Sequence, residues 1–144
     1  MTERVAEPVY VRQGDAMDLH LEDESADVVS IAFGIRNVQD SAKAFAEFYR
    51  ILKPGGRVVV LEFSTPPNSA IRWLNNLYTK RVMPVTASII ACDTSGAYKY
   101  LPKSVESFLD PAELATEIQQ TGFSTIQQVP QTFGVCTITT AVKN

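Results

Sequence analysis

DVVSIAFGIRNVQDSAKAFAEFYRILKPGGRVVVLEF, residues 27–63, decides the architecture of this chain. Asp27–Phe33 is nearly continuously apolar and rich in β-branched residues, as a strand buried on both faces of a parallel sheet reads. Gly34 breaks it. From Ser41 to Leu52 the spacing is helical: Ala42, Phe45, Ala46, Tyr49 and Leu52 fall on one stripe, with Lys43, Glu47 and Arg50 off it. Asp40 or Ser41 can cap the helix start by accepting a hydrogen bond from a free backbone N–H. Lys53 suits the negative end of the helix dipole, and Pro54, Gly55 and Gly56 stop the helix and turn the chain. Arg57–Phe63 then repeats the buried-strand pattern. A strand–helix–strand unit predicts a right-handed crossover between two parallel neighbours, and so an α/β fold.

Outward from this unit, Val9–Arg12 is a short β-type run, followed by the polar stretch Gly14–Glu24. Ile71, Leu74, Leu77 and Tyr78 mark a helix. Pro84, Gly96 and Pro102 interrupt the chain beyond it, so Pro66–Leu109 reads as short helices and loops. Pro111–Thr121 is a helix with Asp110 as N-cap, Pro111 at the first helical position and Gly122 just past the end. Phe123–Thr132 and Gly134–Val142 alternate as two strands, an antiparallel pair turning near Phe133–Gly134. No repeat or linker divides the chain, so residues 1–144 read as one domain.

The 144 residues are 45% hydrophobic and 20% charged, with a net charge of −3. That is enough apolar material for a core, and the charge balance gives no reason to expect nucleic acid as a partner. Cys92 and Cys136 form no CxxC pattern and have no evident base partner, which argues against a disulfide framework, structural zinc or cysteine nucleophile. His20, the single histidine, sits in a polar loop and reads as solvated. MTERVAEP has no signal-peptide core and no run approaches a membrane span, so a cytoplasmic protein is expected. Peripheral membrane contact and homo-oligomer formation stay open.

Four segments in order carry a resemblance: GDAMDLHLEDESADVV (residues 14–29), AFGIRNV (32–38), FYRILKPGGRVVVLEFSTP (48–66) and YKYLPKSV (98–105), followed by the Pro111–Thr121 helix ending in TGF. LKPGG alone occurs in many class I methyltransferases. FGIRN combined with LKPGGRVVVLEFS resembles the ubiquinone/menaquinone biosynthesis C-methyltransferases, from about Val9 onward. The resemblance implies a class I methyltransferase-like (Rossmann-like) sheet, mostly parallel with an antiparallel C-terminal strand pair. It also implies S-adenosylmethionine as cofactor, and methylation of a ring carbon of a lipid-tailed quinol.

By the same resemblance, Asp15 would accept a hydrogen bond from the adenine amino group and the Ala16 N–H would donate to a ring nitrogen. Ala32, often Ser in relatives, would lie beside the methionine part and contribute its backbone. Arg36 and Asn37 would face the transferring methyl group. The guanidinium would stabilise the phenolate, directly or through a water, and Asn37 would orient the ring. Plainer readings stand beside these. Asp15 suits a turn cap, and Arg36 a surface salt bridge to Asp40 or Glu24. Gly55 and Gly56 are structural, since a tight helix-to-strand turn needs positive φ. Glu62, within an apolar run, needs a partner: a donor from another segment, or a place at the strand end by the site. Tyr98 and Tyr100 suit a lid or the core. The Trp73–Tyr78 helix, with Lys80 and Arg81, suits either a cover for the sheet or a membrane surface.

The family opens with a strand, an acidic-Gly-x-Gly-x-Gly loop and a helix, then a strand ending in the acidic residue that holds the ribose. The seven glycines here include no such loop, and nothing before Asp15 supplies that carboxylate. The chain thus resembles the C-terminal portion, and weak or absent binding of S-adenosylmethionine is expected of it alone. Either the chain is a fragment, or Val9–Arg12 pairs elsewhere, for example beside Asp27–Phe33. Two other readings are a class I methyltransferase for another small molecule and a non-catalytic remnant serving as an interaction partner.

Overall fold

The structure is a computed structural model describing residues 9–77 and 108–144. The readings placed on Tyr78, Lys80, Arg81, Pro84, Cys92, Gly96, Tyr98, Tyr100 and Pro102, and on residues 1–8, lie outside those residues. The described elements are β1 (Ala26–Ala32), α1 (Ser41–Ile51), β2 (Leu52–Phe63), α2 (Ser69–Leu77), α3 (Pro111–Gln120), β3 (Ser124–Gln131) and β4 (Cys136–Val142). The four strands form one sheet in the order β1-β2-β4-β3. β1 and β2 are parallel, in register from Val28↔Arg57 to Ala32↔Leu61. β4 runs antiparallel to β2 from Arg57↔Val142 to Phe63↔Cys136, and β3 antiparallel to β4. The crossover unit and the terminal pair are therefore both present, and β4 lies between β2 and β3.

The period of two along β2 sets the core: Val58 and Val60 face the helices, joined by Ala141 of β4, Phe45 and Phe48 of α1, and Leu114 and Ile118 of α3. The buried stripe of α1 is Ala44, Phe45, Phe48 and Ile51, with Tyr49 half-buried; Ala42 and Ala46 are exposed, so the face expected from sequence is rotated. Two alanines supply little apolar area, whereas Phe48 and Ile51 supply much, and the larger side chains take the core. Asp40 caps α1, its carboxylate accepting from the Lys43 N–H at 3.1 Å. Leu52 is already extended. Lys53 pairs with Asp27 at 2.9 Å.

The two glycines after Pro54 are needed for different reasons. Gly55 has φ of +80°, which glycine adopts without strain. At Gly56 a Cβ would stand 2.8 Å from the Lys53 carbonyl oxygen and 3.1 Å from that of Asp27, so a side chain is excluded by close backbone approach.

Two expectations about the first strands fail. Val9–Arg12 is not a strand; Val9 is 89% and Val11 93% exposed. No described strand lies beside it, so its backbone has no ladder to join. β1 is not buried on both faces: Val28, Ser30 and Ala32 are exposed, and Val29 and Ile31 half-buried. Among the described residues it pairs along one edge only, with β2, and α1 and α3 pack together on one face of the sheet.

α3 starts with the expected cap strengthened into a reciprocal box: Asp110 accepts from the Glu113 N–H at 2.8 Å, and Glu113 from the Asp110 N–H at 2.8 Å. Asp110→Ala should lower stability by about 1 kcal/mol, read as a lower urea midpoint with unchanged m-value. An unchanged midpoint would show the box to be energetically idle.

Candidate active site

Because β1 and β2 are parallel, their carboxyl ends share one rim, where the sequence turns through Phe33-Gly34-Ile35-Arg36-Asn37. Ile35 is fully buried and anchors the turn to the core. Phe33 takes φ of +53°, uncommon for a residue with a side chain. Its N–H donates to the Leu61 carbonyl at 2.8 Å, and its ring lies 4.6 Å from that of Phe63, centroid to centroid. Its carbonyl is held by Arg36, whose Nη1 donates to it at 2.7 Å. Such backbone strain persists where surrounding contacts over-determine it, and functional sites are where it gathers.

Arg36 is neither at the surface nor paired with Asp40 or Glu24, as the plainer reading had it. Asp40 caps α1, and Glu24 lies 3.5 Å from Lys143. Among the described residues Arg36 pairs with Glu62: Nη1 to Oε1 is 2.7 Å, with the side chains 8% and 3% exposed. The pair is closed by backbone donors. The Phe63 N–H reaches Glu62 Oε1 at 2.9 Å, and the Arg36 N–H reaches Oε2 at 3.4 Å. The guanidinium also sits 5.2 Å from the centre of the Phe63 ring. Glu62 continues the inward period of Val58 and Val60 one step beyond the apolar core, so both alternatives left open for it hold together. It accepts from another segment, and it does so at the strand end. Asn37 is exposed, and its N–H closes the turn on the Gly34 carbonyl at 3.0 Å.

Asp15 caps its own turn, accepting from the Met17 N–H at 2.9 Å, and the Asp18 N–H reaches the Asp15 carbonyl at 3.1 Å. Oδ1 takes the Met17 N–H, so the exposed carboxylate keeps Oδ2 for another donor. The turn lies at the start of α1, where Met17 lines an open depression with Gln39, Asp40 and Ser41. Ala32 and Arg36–Asn37 lie at the carboxyl end of β1, and of the turn only Met17 lines the depression at the start of α1.

What fixes that turn was not read from the sequence. Residues 19–24 run down α1 and are tied to two of its polar side chains. The Leu19 N–H donates to Glu47 at 3.0 Å. Arg50 donates to the carbonyls of Leu19 at 2.8 Å and Leu21 at 2.9 Å, and to the Asp23 carboxylate at 2.6 Å. The Arg50 guanidinium, hydrogen-bonded to Glu47 at 2.8 Å, holds the Glu47 carboxyl below its ordinary range. The i,i+3 acid–base spacing was the only available signal, and it is common on any solvated helix face.

No cluster of metal-ligating side chains occurs among the described residues.

Solved structures show the same fold. A SAM-dependent methyltransferase from Thermotoga maritima, described as a possible histamine N-methyltransferase, superposes with a TM-score of 0.61 at 21% identity, over 94% of this chain and 65% of that one. One from Aquifex aeolicus gives 0.62 at 13%, over 96% and 56%. The sheet is thus that of the class I methyltransferases. In sequence, the chain is 36% identical to a demethylmenaquinone methyltransferase of Bacteroides fragilis, over 98% of this chain and 57% of the relative. It is 44% identical to one from Thermus thermophilus, over 88% and 56%. It is also 44% identical to the ubiquinone/menaquinone biosynthesis C-methyltransferase UbiE of Geobacter sulfurreducens, over 84% and 46%. The chain therefore spans about half the length of the curated relatives it matches. The model of the ubiE/COQ5 methyltransferase family matches residues 2–143, and the chain belongs to that family.

Proposed function

We propose that the protein methylates a ring carbon of a polyprenyl quinol, demethylmenaquinol or 2-methoxy-6-polyprenyl-1,4-benzoquinol, with S-adenosylmethionine as donor. The observation that carries this reading is the buried Arg36–Glu62 pair at the carboxyl ends of β1 and β2, and the reading sets the Asp15–Ala16 turn at the same rim. The names of the sequence relatives support the substrate class.

Bound S-adenosylmethionine supplies an electrophilic methyl group on a sulfonium. The chain's own residues do the rest. Asp15 accepts from the adenine amino group, and the Ala16 N–H donates to the ring. Ala32, without a hydroxyl, lends its backbone beside the methionine part. Loss of a quinol hydroxyl proton to a water makes the neighbouring ring carbon nucleophilic; it takes the methyl group as the S–CH3 bond breaks, S-adenosylhomocysteine leaves, and the ring-carbon proton passes to water as aromaticity returns. Arg36, fixed by Glu62 and the Phe33 carbonyl, stabilises the phenolate oxygen without having to reorganise. Exposed Asn37 orients the ring. A lipid-tailed quinol lies in a membrane, and α2 turns Trp73 (67% exposed) and Leu74 (60%) outward, which supports contact with its surface. No described helix is long and apolar enough to cross a membrane.

The test is transfer of labelled methyl to demethylmenaquinol by the protein expressed at the full length its gene encodes. Arg36→Ala should lower kcat by about 100-fold or more, and Arg36→Lys, which keeps charge but not the planar fork, by about tenfold. Equal turnover in all three proteins removes Arg36 from the chemistry. Absence of transfer by the unsubstituted protein refutes the substrate.

A further inference from the structure

Glu62 has a role that the hydrogen bonds alone do not exhaust. The rim must admit two reactants of opposite character: a cationic sulfonium and a quinol that becomes anionic. A lone guanidinium would favour the phenolate and repel the donor. Arg36 is not alone. The Glu62 carboxylate lies 2.7 Å from its Nη1, and both side chains are nearly out of solvent, so water does little to screen either charge. Arg36 keeps its N–H donors directed by a second anchor, the Phe33 carbonyl at 2.7 Å, and by the Phe63 ring. The unit is directional toward an oxygen anion and close to neutral toward a more distant cation.

We propose that Glu62 is a positioning residue that also cancels the charge of Arg36, so that a cationic methyl donor can occupy the rim beside a guanidinium. It rests on the functional reading above, which puts the sulfonium beside Arg36. A merely structural Glu62 would affect all ligands alike. A charge-cancelling one distinguishes S-adenosylmethionine, which carries the sulfonium, from S-adenosylhomocysteine, which lacks the methyl group and the positive charge but is otherwise the same molecule.

The experiment is calorimetric titration of the full-length protein with each nucleoside, read as the ratio of the two dissociation constants. Glu62→Gln should weaken S-adenosylmethionine by about tenfold relative to S-adenosylhomocysteine, as a like charge nearby in a poorly screened site requires. The paired variant Arg36→Met with Glu62→Met replaces one neutral unit by another and should restore the original ratio. Should Glu62→Gln alone not fold, Arg36→Gln, which keeps an N–H donor for Glu62, decides: the uncancelled carboxylate should tighten S-adenosylmethionine relative to S-adenosylhomocysteine, and an unchanged ratio overturns the proposal. In the paired variant, a fall specific to S-adenosylmethionine shows instead that the Glu62 carboxylate attracts the sulfonium directly, which overturns it. Equal shifts for both nucleosides in Glu62→Gln also overturn it. If the unsubstituted protein binds neither nucleoside, the functional reading fails first and this one with it. If it binds both and the ratio ignores Glu62, only this proposal falls.

Discussion

Phe45→Ala should destabilise the protein by about 3–5 kcal/mol, the range for emptying a fully buried phenylalanine site. Phe45 has no exposed surface, and its ring meets Phe48 edge-on, with centroids 5.9 Å apart. It fills the layer between α1 and the Val58–Val60 face, with Leu114 and Ile118 of α3 across from it. These neighbours belong to separate elements fixed by a sheet and by caps, so they cannot close the void without moving a helix. The lost transfer energy and the cavity term therefore both apply. The neighbouring position gives the contrast. Ala46 is exposed, so Ala46→Lys should stay within about 0.5 kcal/mol of the parent. Urea unfolding of both variants checks the orientation of α1. Comparable losses in the two would mean that the helix presents a different face to the sheet.

Arg36→Met should be nearly as damaging, costing about 3–5 kcal/mol, because it leaves the Glu62 carboxylate buried without its cation. The pair's own net worth is a separate quantity. Replacing Arg36 and Glu62 together by Met should recover most of the loss, since buried ion pairs often give way to apolar residues at little net cost. The informative result is non-additivity in a double-mutant cycle. If the single variant shifts stability by less than about 1 kcal/mol, Glu62 has found another donor or the pair is open to water. Such a result would leave the site without the rigid guanidinium on which its proposed chemistry depends.

The sequence made some of this visible and hid the rest for identifiable reasons. The crossover unit was readable because Val28–Ala32 and Val58–Leu61 are β-branched runs separated by a helical period and a Pro-Gly-Gly stop. The α3 cap was readable because Asp110, Pro111 and Glu113 each have one strong local preference. The rotation of α1 was not. Its apolar residues cover more than one face, and only the sheet beneath decides between Ala46 and Phe48. The exposure of β1 was hidden too, because a strand's composition does not record how many neighbours it has. Within the site, Asp15 has the short polar side chain of a turn cap, and the cap is observed. The Arg36–Glu62 pair was invisible because 26 residues separate its members. Glu62 stood out as a buried carboxylate in need of a donor, while from the Arg36 side the nearer acids, Asp40 and Glu24, were the wrong partners. The Arg50 clamp looked like an ordinary charged helix face.

The strand order has a consequence for how the molecule is made. Among the described residues β2 is an inner strand of the sheet, yet one of its two neighbours, β4, is the last of the four described strands in chain order. At about 5–20 residues per second, the Val58–Leu61 edge waits several seconds after leaving the ribosome before its covering strand exists. During synthesis the same apolar row that will anchor the core is an open template for other nascent chains. Yield in cells should therefore depend on growth temperature and on chaperone supply more than the finished protein's stability would indicate.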